Sequence, residues 1–136
     1  MRKIDFPENC RYIGMDIVPD LIEENSNRYT SNQHSFQVGD LINSDLPAAE
    51  VYFCRDVFIH FPNEMIDKSI KNIRSTGAKF LIATTFPYVT KLVDTEFPLS
   101  RHHNLTLVLG AENELLEDFG NNRTDKYMGV WRLDNV

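Results

Sequence analysis

Acidic side chains stand at the ends of three apolar segments in the first half of this chain. Asp16 ends the segment that starts at Tyr12, Asp40 follows Phe-Gln-Val-Gly, and Asp56 follows Val-Tyr-Phe-Cys-Arg. The carboxyl ends of parallel strands share one edge of an α/β sheet, and a carboxylate there can accept hydrogen bonds from ribose hydroxyls. The three acids therefore predict a shared ligand cleft, although each could instead cap the turn or helix that follows it.

The segments that position these acids alternate between apolar runs and helical patterns. Pro19 is a favoured first helical residue, and Ile66, Ile70 and Ile73 form an apolar stripe that predicts a helix beginning at Asn63 and ending before Gly77. We predict further elements at these places: strands over 12–17, 35–41, 50–54 and 79–86, and a helix over 19–29. Strands that alternate with helices favour parallel pairing through right-handed crossovers, and so an α/β fold.

The second half of the chain has weaker patterns. Residues 87–104 show no period and are predicted to be a loop, and residues 105–109 and 127–133 are predicted to be strands. Residues 111–119 are predicted to be a short helix that Gly120 ends.

Length and composition exclude several classes of protein. A chain of 136 residues corresponds to one domain, over 1–136, and a net charge of −6 argues against a nucleic-acid partner. Lys68, Lys71 and Arg74 form a solvated helix face. No apolar run is long enough for a signal peptide or a membrane span, so we expect no membrane partner. Cys10 and Cys54 lack a Cys-x-x-Cys spacing, which favours reduced thiols in a cytoplasmic protein.

Five segments resemble one enzyme family in their order, their spacing and their residues. They are Tyr12-Ile-Gly-Met-Asp-Ile-Val-Pro, Phe36-Gln-Val-Gly-Asp-Leu, Phe53-Cys-Arg-Asp-Val-Phe-Ile-His-Phe, Ala78-Lys-Phe-Leu-Ile-Ala-Thr-Thr-Phe-Pro and Lys126-Tyr-Met-Gly-Val-Trp-Arg-Leu. They are similar to class I methyltransferases that depend on S-adenosylmethionine (SAM), and most similar to a bacterial group of small methyltransferase-like proteins. The resemblance runs from about residue 11 to the C-terminus and is loosest between residues 87 and 122.

The resemblance implies a role for four residues in cofactor binding. Asp16 matches the acid that binds the ribose hydroxyls of SAM, and Ile17 would pack on the adenine. Asp40 matches the acid that accepts from the adenine amino group, with Leu41 beside it.

Three further residues are candidates for chemistry. Arg55 and Asp56 match the strand end that faces the reacting methyl group, and His60 lies four residues beyond Asp56. His60 is a candidate general base, and the alternative is a histidine that packs against or caps the turn. His102 and His103 are adjacent and cannot share a helical face, so we predict no metal site.

The family's first strand and glycine-rich loop have no match in this sequence, because no glycine precedes Gly14. We therefore expect a methyltransferase-like protein that lacks the first βα unit, binds SAM weakly at best and has no independent catalytic activity. It would act as a binding or assembly module. The alternative is an active methyltransferase whose missing cofactor-binding half is supplied by another chain.

The same gap predicts the arrangement of the sheet. We expect a contracted Rossmann-like methyltransferase sheet, mostly parallel, in which the strands of Tyr12 and Val51 pair directly and the strands of Leu105 and Tyr127 form an antiparallel C-terminal edge. The alternative is that a strand from another chain lies between the first two.

Loss of a βα unit should also uncover apolar surface. We predict a symmetric homodimer through the truncated side of the sheet. The alternative is a monomer that has repacked around the gap. The residues expected on the dimer surface are Phe53, Val57, Phe58, Ile59 and Phe61, with Phe6, Tyr12 and Ile13 nearby.

Overall fold

The structure is a computed structural model that describes residues 6–94, 96, 99–111, 114–118 and 125–133. The chain divides into two compact units, Met1–Asp45 and Leu46–Val136. The organisation of residues 1–136 as one domain stays a prediction. None of the helices in the described part of the chain has the length and hydrophobicity that a membrane span requires.

The first unit contains one β-α-β motif. Its elements are β1 (Tyr12–Asp16), α1 (Pro19–Tyr29) and β2 (His34–Val38). β1 and β2 pair in parallel, with Tyr12 opposite His34 and Asp16 opposite Val38. The predicted strands and helix are confirmed here because a local apolar pattern and Pro19 at the start of α1 are sufficient to specify them.

Gly14 allows close packing on this two-stranded sheet. It is buried, and a Cβ at this position would stand 2.5 Å from Cδ1 of Phe36 and 3.2 Å from Cε1 of Tyr12. The rings of Tyr12 and Phe36 are in edge-to-face contact, with centroids 6.0 Å apart. A side chain at Gly14 would therefore displace the aromatic packing of the first unit.

The second unit is built on a four-stranded sheet in the order β3-β4-β6-β5. The strands are β3 (Val51–Cys54), β4 (Phe80–Thr85), β5 (Glu114–Glu117) and β6 (Tyr127–Arg132). β3 and β4 are parallel, whereas β6 is antiparallel to both β4 and β5. The remaining elements are a 3-10 turn (Phe58–His60), α2 (Asn63–Ser75) and α3 (Thr106–Leu109). The α/β fold with an antiparallel C-terminal edge is confirmed.

The core of the second unit is formed by buried side chains of α2 and of the sheet. Ile66 and Ile73 of α2 are fully buried, as is Leu81 of β4, which confirms the isoleucine stripe. Trp131 of β6 is also buried, and a Cβ on Gly129 would stand 2.6 Å from its Cζ3. The missing side chain at Gly129 leaves space on β6 that the indole ring of Trp131 fills.

Two secondary-structure predictions in the second half are wrong. Residues 105–109 are not a strand, since Thr106–Leu109 forms the short helix α3, which ends at Gly110 with φ of 81°. Residues 111–119 are not a helix, since Glu114–Glu117 forms β5 and pairs with β6. Gly120, predicted to end that helix, lies outside the described residues. Pairing with a distant strand outweighs local helical preference in so short a segment.

The predicted direct pairing of the Tyr12 and Val51 strands is also wrong. β1 pairs with β2 and β3 pairs with β4, in two separate sheets. Each pair is joined by its own crossover helix, α1 or α2, and consecutive strands joined in this way pair more readily than strands that lack such a connection.

The apolar residues predicted to line a dimer surface differ in exposure. Phe58 is only 1% exposed and belongs to the core, so its assignment to that surface is wrong. Val57, Ile59 and Phe61 are half-buried. Phe53 is 64% exposed, because residues of β3 alternate between the two faces of the sheet.

Candidate functional site

The first unit places Asp16 and Asp40 at one edge of its sheet. Asp16 ends β1, and the Gly39 N–H donates to the Asp16 carbonyl over 3.0 Å, so Asp40 follows directly beside the end of β1. Asp16 Oδ1 accepts from the Val18 N–H over 3.0 Å, and its Oδ2 makes no hydrogen bond with a described residue. The Asp16 side chain thus holds the turn before α1 and still has one acceptor oxygen.

Asp40 is more fully engaged in its own turn. Its Oδ1 accepts from the Ile42 N–H over 2.9 Å, and its Oδ2 accepts from the Asn43 amide over 2.7 Å. Leu41 lies within this turn and is half-buried, whereas Ile17 after β1 is 65% exposed. The cofactor-binding roles of Asp16, Ile17, Asp40 and Leu41 stay predictions.

The second unit places Asp56 at the carboxyl end of its parallel strands. Asp56 has φ of 59°, a conformation that is uncommon for residues other than glycine. The Asp56 N–H donates to Thr84 Oγ1 over 2.8 Å, and this bond to the end of β4 helps to hold the strained backbone. Strained residues of this kind are frequent in functional sites.

A partly buried cluster of charges surrounds Asp56. Lys126 Nζ lies 2.6 Å from Asp56 Oδ1 and 3.1 Å from Asp118 Oδ2, and its side chain is only 4% exposed. Arg55 Nε and Nη2 donate to the two Asp118 oxygens over 3.2 and 3.0 Å. These bonds raise the pKa of Arg55 above its ordinary value. Lys126 therefore joins the end of β3 to residues that flank β5 and β6.

A cleft of about 420 Å³ opens beside this cluster. The lining includes the charged, imidazole and phenyl side chains of Asp56, His60, Phe86, Arg101, His102 and Lys126. His60 is exposed and lies in the 3-10 turn, so the structure brings Asp56 and His60 to one cleft. The volume is in the range of small-molecule sites. The catalytic roles of Arg55, Asp56 and His60 stay predictions.

His102 forms an aromatic wall of the cleft together with Phe86. Their rings are stacked with centroids 4.1 Å apart and an angle of 1° between planes. The Tyr88 hydroxyl forms a hydrogen bond with His102 Nδ1 and so orients the imidazole. Among the described residues, no group of three or more His, Cys, Asp or Glu side chains could hold a metal ion.

Arg101 is a largely buried cation whose close partners are neutral. Its side chain is 12% exposed, Nη2 lies 2.6 Å from Asn63 Oδ1, and Nη1 lies 2.9 Å from His103 Nδ1. Asp94 Oδ1 is 3.9 Å away, and that side chain is 64% exposed. Burial lowers the pKa of Arg101.

His103 is held in the neutral form. It is 1% exposed, and burial, with Arg101 as a second cause, lowers its pKa to about 4. Because Nδ1 accepts from Arg101, the proton is on Nε2, which is buried without a hydrogen-bond partner among the described residues. Arg101 therefore retains a neutral neighbour at physiological pH.

Sequence reasoning missed Lys126, Asp118 and Arg101. A charged residue directly before the apolar β6 segment was the one available signal for Lys126, and its partner Asp56 is 70 residues away. Arg101 and Asp118 lie in segments without a clear period, so only the folded structure shows their neighbours.

Solved structures of SAM-binding proteins share this fold. Human N-acetylserotonin methyltransferase in complex with SAM matches with a TM-score of 0.63 and 17% identity over 90% of this chain. Magnesium protoporphyrin IX methyltransferase from Synechocystis PCC 6803, with bound S-adenosylhomocysteine, matches with a TM-score of 0.59 and 19% identity over 88%. LepI in complex with SAM matches with a TM-score of 0.64 and 11% identity over 88%.

The chain spans 40%, 62% and 35% of the lengths of these three proteins. No family model matches the sequence, and no curated protein sequence matches it. At these identities the likeness shows the fold, a Rossmann-like methyltransferase fold.

Proposed function

We propose that this chain is a methyltransferase-like module that contributes the adenosine side of a SAM site and does not catalyse methyl transfer by itself. Asp16 binds the ribose hydroxyls, Asp40 accepts from the adenine amino group, and Ile17 and Leu41 pack on the base. Two things support this assignment: the fold shared with SAM-binding proteins and the positions of these four residues in the first unit.

The observation that supports it most directly is the register of β1 and β2. Asp16 stands opposite Val38, and the Gly39 N–H bonds to the Asp16 carbonyl, so the two acids follow the carboxyl ends of adjacent parallel strands. This is the edge at which open α/β sheets bind nucleotide-type ligands. Asp16 Oδ2 remains available as an acceptor among the described residues.

Asp16→Asn should weaken SAM binding by roughly 10- to 100-fold, the effect of losing a charge-assisted hydrogen bond. Isothermal titration calorimetry of the 136-residue chain with SAM and S-adenosylhomocysteine measures this. Glu23→Gln is the matched control, because Glu23 is an exposed acid on α1 and should not contribute. Equal affinity of Asp16→Asn and wild type would exclude the assignment of Asp16, and no binding at millimolar cofactor would exclude a SAM site in this chain alone.

The proposal that these 136 residues do not catalyse methyl transfer by themselves concerns the methionine end of the cofactor. Methyl transfer depends on holding donor and acceptor in near-attack geometry. Within the 136 residues no glycine precedes Gly14, so these residues offer no glycine-rich turn ahead of β1.

A second candidate is an active methyltransferase whose remaining cofactor contacts come from another chain. The cleft lined by Asp56 and His60 favours it, because a carboxylate after β3 and an imidazole in the 3-10 turn suit an acceptor site. The two candidates differ in concentration dependence: SAM affinity that rises with protein concentration indicates a site shared between copies.

We also propose that the chain assembles as a homodimer through the exposed side of β3. β3 is an edge strand, and Val51 and Phe53 are 46% and 64% exposed. Phe53→Glu should convert a dimer to a monomer in light scattering at tens of micromolar protein, since a charge there would have to be desolvated. Lys71→Glu on the exposed side of α2 is the control and should leave the mass unchanged. A wild-type chain that is monomeric under these conditions contradicts the proposal.

A further inference from the structure

The cleft of the second unit has a charge pattern that differs from that of the whole chain. The net charge is −6, yet the lining includes the cations Arg101 and Lys126 and the two imidazoles of His60 and His102, against one acid, Asp56. Lys126 is already paired with Asp56 and Asp118. The remaining cation, Arg101, is therefore the group that decides which ligand charge the cleft prefers.

Arg101 is poorly compensated by the described residues. Its close partners are the neutral acceptors Asn63 Oδ1, His103 Nδ1 and, over 3.4 Å, the Phe61 carbonyl. The Asp94 carboxylate is 3.9 Å away and exposed, and Arg101 Nε is buried without a hydrogen-bond partner among the described residues. A buried cation costs free energy unless an anion pairs with it, so an anionic ligand group would be stabilised here.

The Phe86–His102 pair adds a preference for shape. Both rings line the same cleft as Arg101, but Phe86 is only 3% exposed and stacks on His102, so the half-buried His102 imidazole carries the ring surface that a ligand can reach. The Tyr88 hydroxyl orients this imidazole. Flat aromatic surfaces bind planar groups by offset stacking. A volume of about 420 Å³ accommodates a small molecule of one or two rings.

We infer that this cleft binds a small planar organic carboxylate, with its anionic group on Arg101 and its plane against the His102 imidazole, which Phe86 supports from behind. The cleft lies within the second unit, so the inference stands apart from SAM binding by Asp16 and Asp40.

Benzoate, benzamide and inorganic phosphate are the probes that test it. Saturation-transfer NMR and calorimetry on the full chain should show benzoate binding about tenfold tighter than the neutral benzamide, the effect of one charge-assisted contact. Benzoate should also bind more tightly than phosphate, which lacks a ring. Equal binding of benzoate and benzamide to the wild type overturns the inference, and tighter binding of phosphate overturns the assignment to a planar carboxylate.

Arg101→Gln should remove the preference for benzoate over benzamide. Lys68→Gln removes a cation from the exposed side of α2 and should retain the wild-type preference. Retention of the preference by Arg101→Gln would show that Arg101 does not bind the carboxylate. If Arg101→Gln does not fold, as judged by the emission of the buried Trp131, the comparison of benzoate with benzamide on the wild type decides the question.

Discussion

Lys126→Met should lower the free energy of unfolding of the second unit by about 3 kcal/mol, near the lower end of the range for breaking a buried ion pair. Lys126 is 4% exposed and lies 2.6 Å from Asp56 and 3.1 Å from Asp118. Its removal leaves Asp56 without a cation among its described partners. The cost stays at the lower end because Asp118 keeps Arg55 and the Asp56 side chain is 38% exposed.

Urea unfolding followed by tryptophan fluorescence measures this loss. Trp131 is the only tryptophan of the chain and is buried in the second unit, so its emission reports on that unit. Lys68→Met is the matched control, because the exposed Lys68–Glu64 pair on α2 should contribute less than about 1 kcal/mol. Adding Asp56→Asn to Lys126→Met should recover part of the loss, because it removes the carboxylate that Lys126→Met leaves without a cation. Similar destabilisation by Lys126→Met and Lys68→Met would mean that the ion pairs of Lys126 with Asp56 and Asp118 do not stabilise the fold.

The stability of the second unit should fall between pH 6.5 and pH 4 because of His103. The pKa of His103 is lowered from 6.5 to about 4 in the folded chain. In this interval the unfolded chain binds a proton at His103 and the folded chain does not, so acidification favours unfolding. The contribution is on the order of 3 kcal/mol, is fully present above pH 6.5, and does not change further below pH 4.

His103→Asn tests this linkage, since an amide oxygen can accept from Arg101 without titrating. The free energy of unfolding of His103→Asn should depend less steeply on pH than that of the wild type in this interval. His60→Asn replaces an exposed imidazole and should keep the wild-type dependence. Arg101 disfavours the charged imidazole and Asp94 favours it, and both remain in each variant. Parallel curves for wild type and His103→Asn would contradict the assignment of a neutral buried histidine.

Asp56 and Lys126 contribute both to the stability of the second unit and to the lining of its cleft. The backbone of Asp56 is held by Thr84 and its carboxylate by Lys126, and both Asp56 and Lys126 line the cleft. Conversion of Lys126 to Met therefore removes a wall of the cleft as well as an ion pair. Ligand binding and unfolding should be measured on the same variant to separate these effects.

Local patterns in the sequence determined the elements of the first unit and the framework of the second. Pro19 and the spacing of apolar residues specified α1, and the isoleucine stripe specified α2, because a helix buries one face at fixed spacing. The apolar runs that became β1 to β4 were also evident. The acids after these strands could be located because residues that follow parallel strands lie at one edge.

The tertiary structure decided what depends on distant contacts. Residues 114–117 form a strand because they pair with β6. β1 pairs with β2 because the crossover helix α1 joins these two strands. Lys126 contacts Asp56 across 70 residues, and Arg101 contacts Asn63 across 38. No sequence period specifies such contacts, because the free energy of burying a charge depends on partners that only the folded chain brings together.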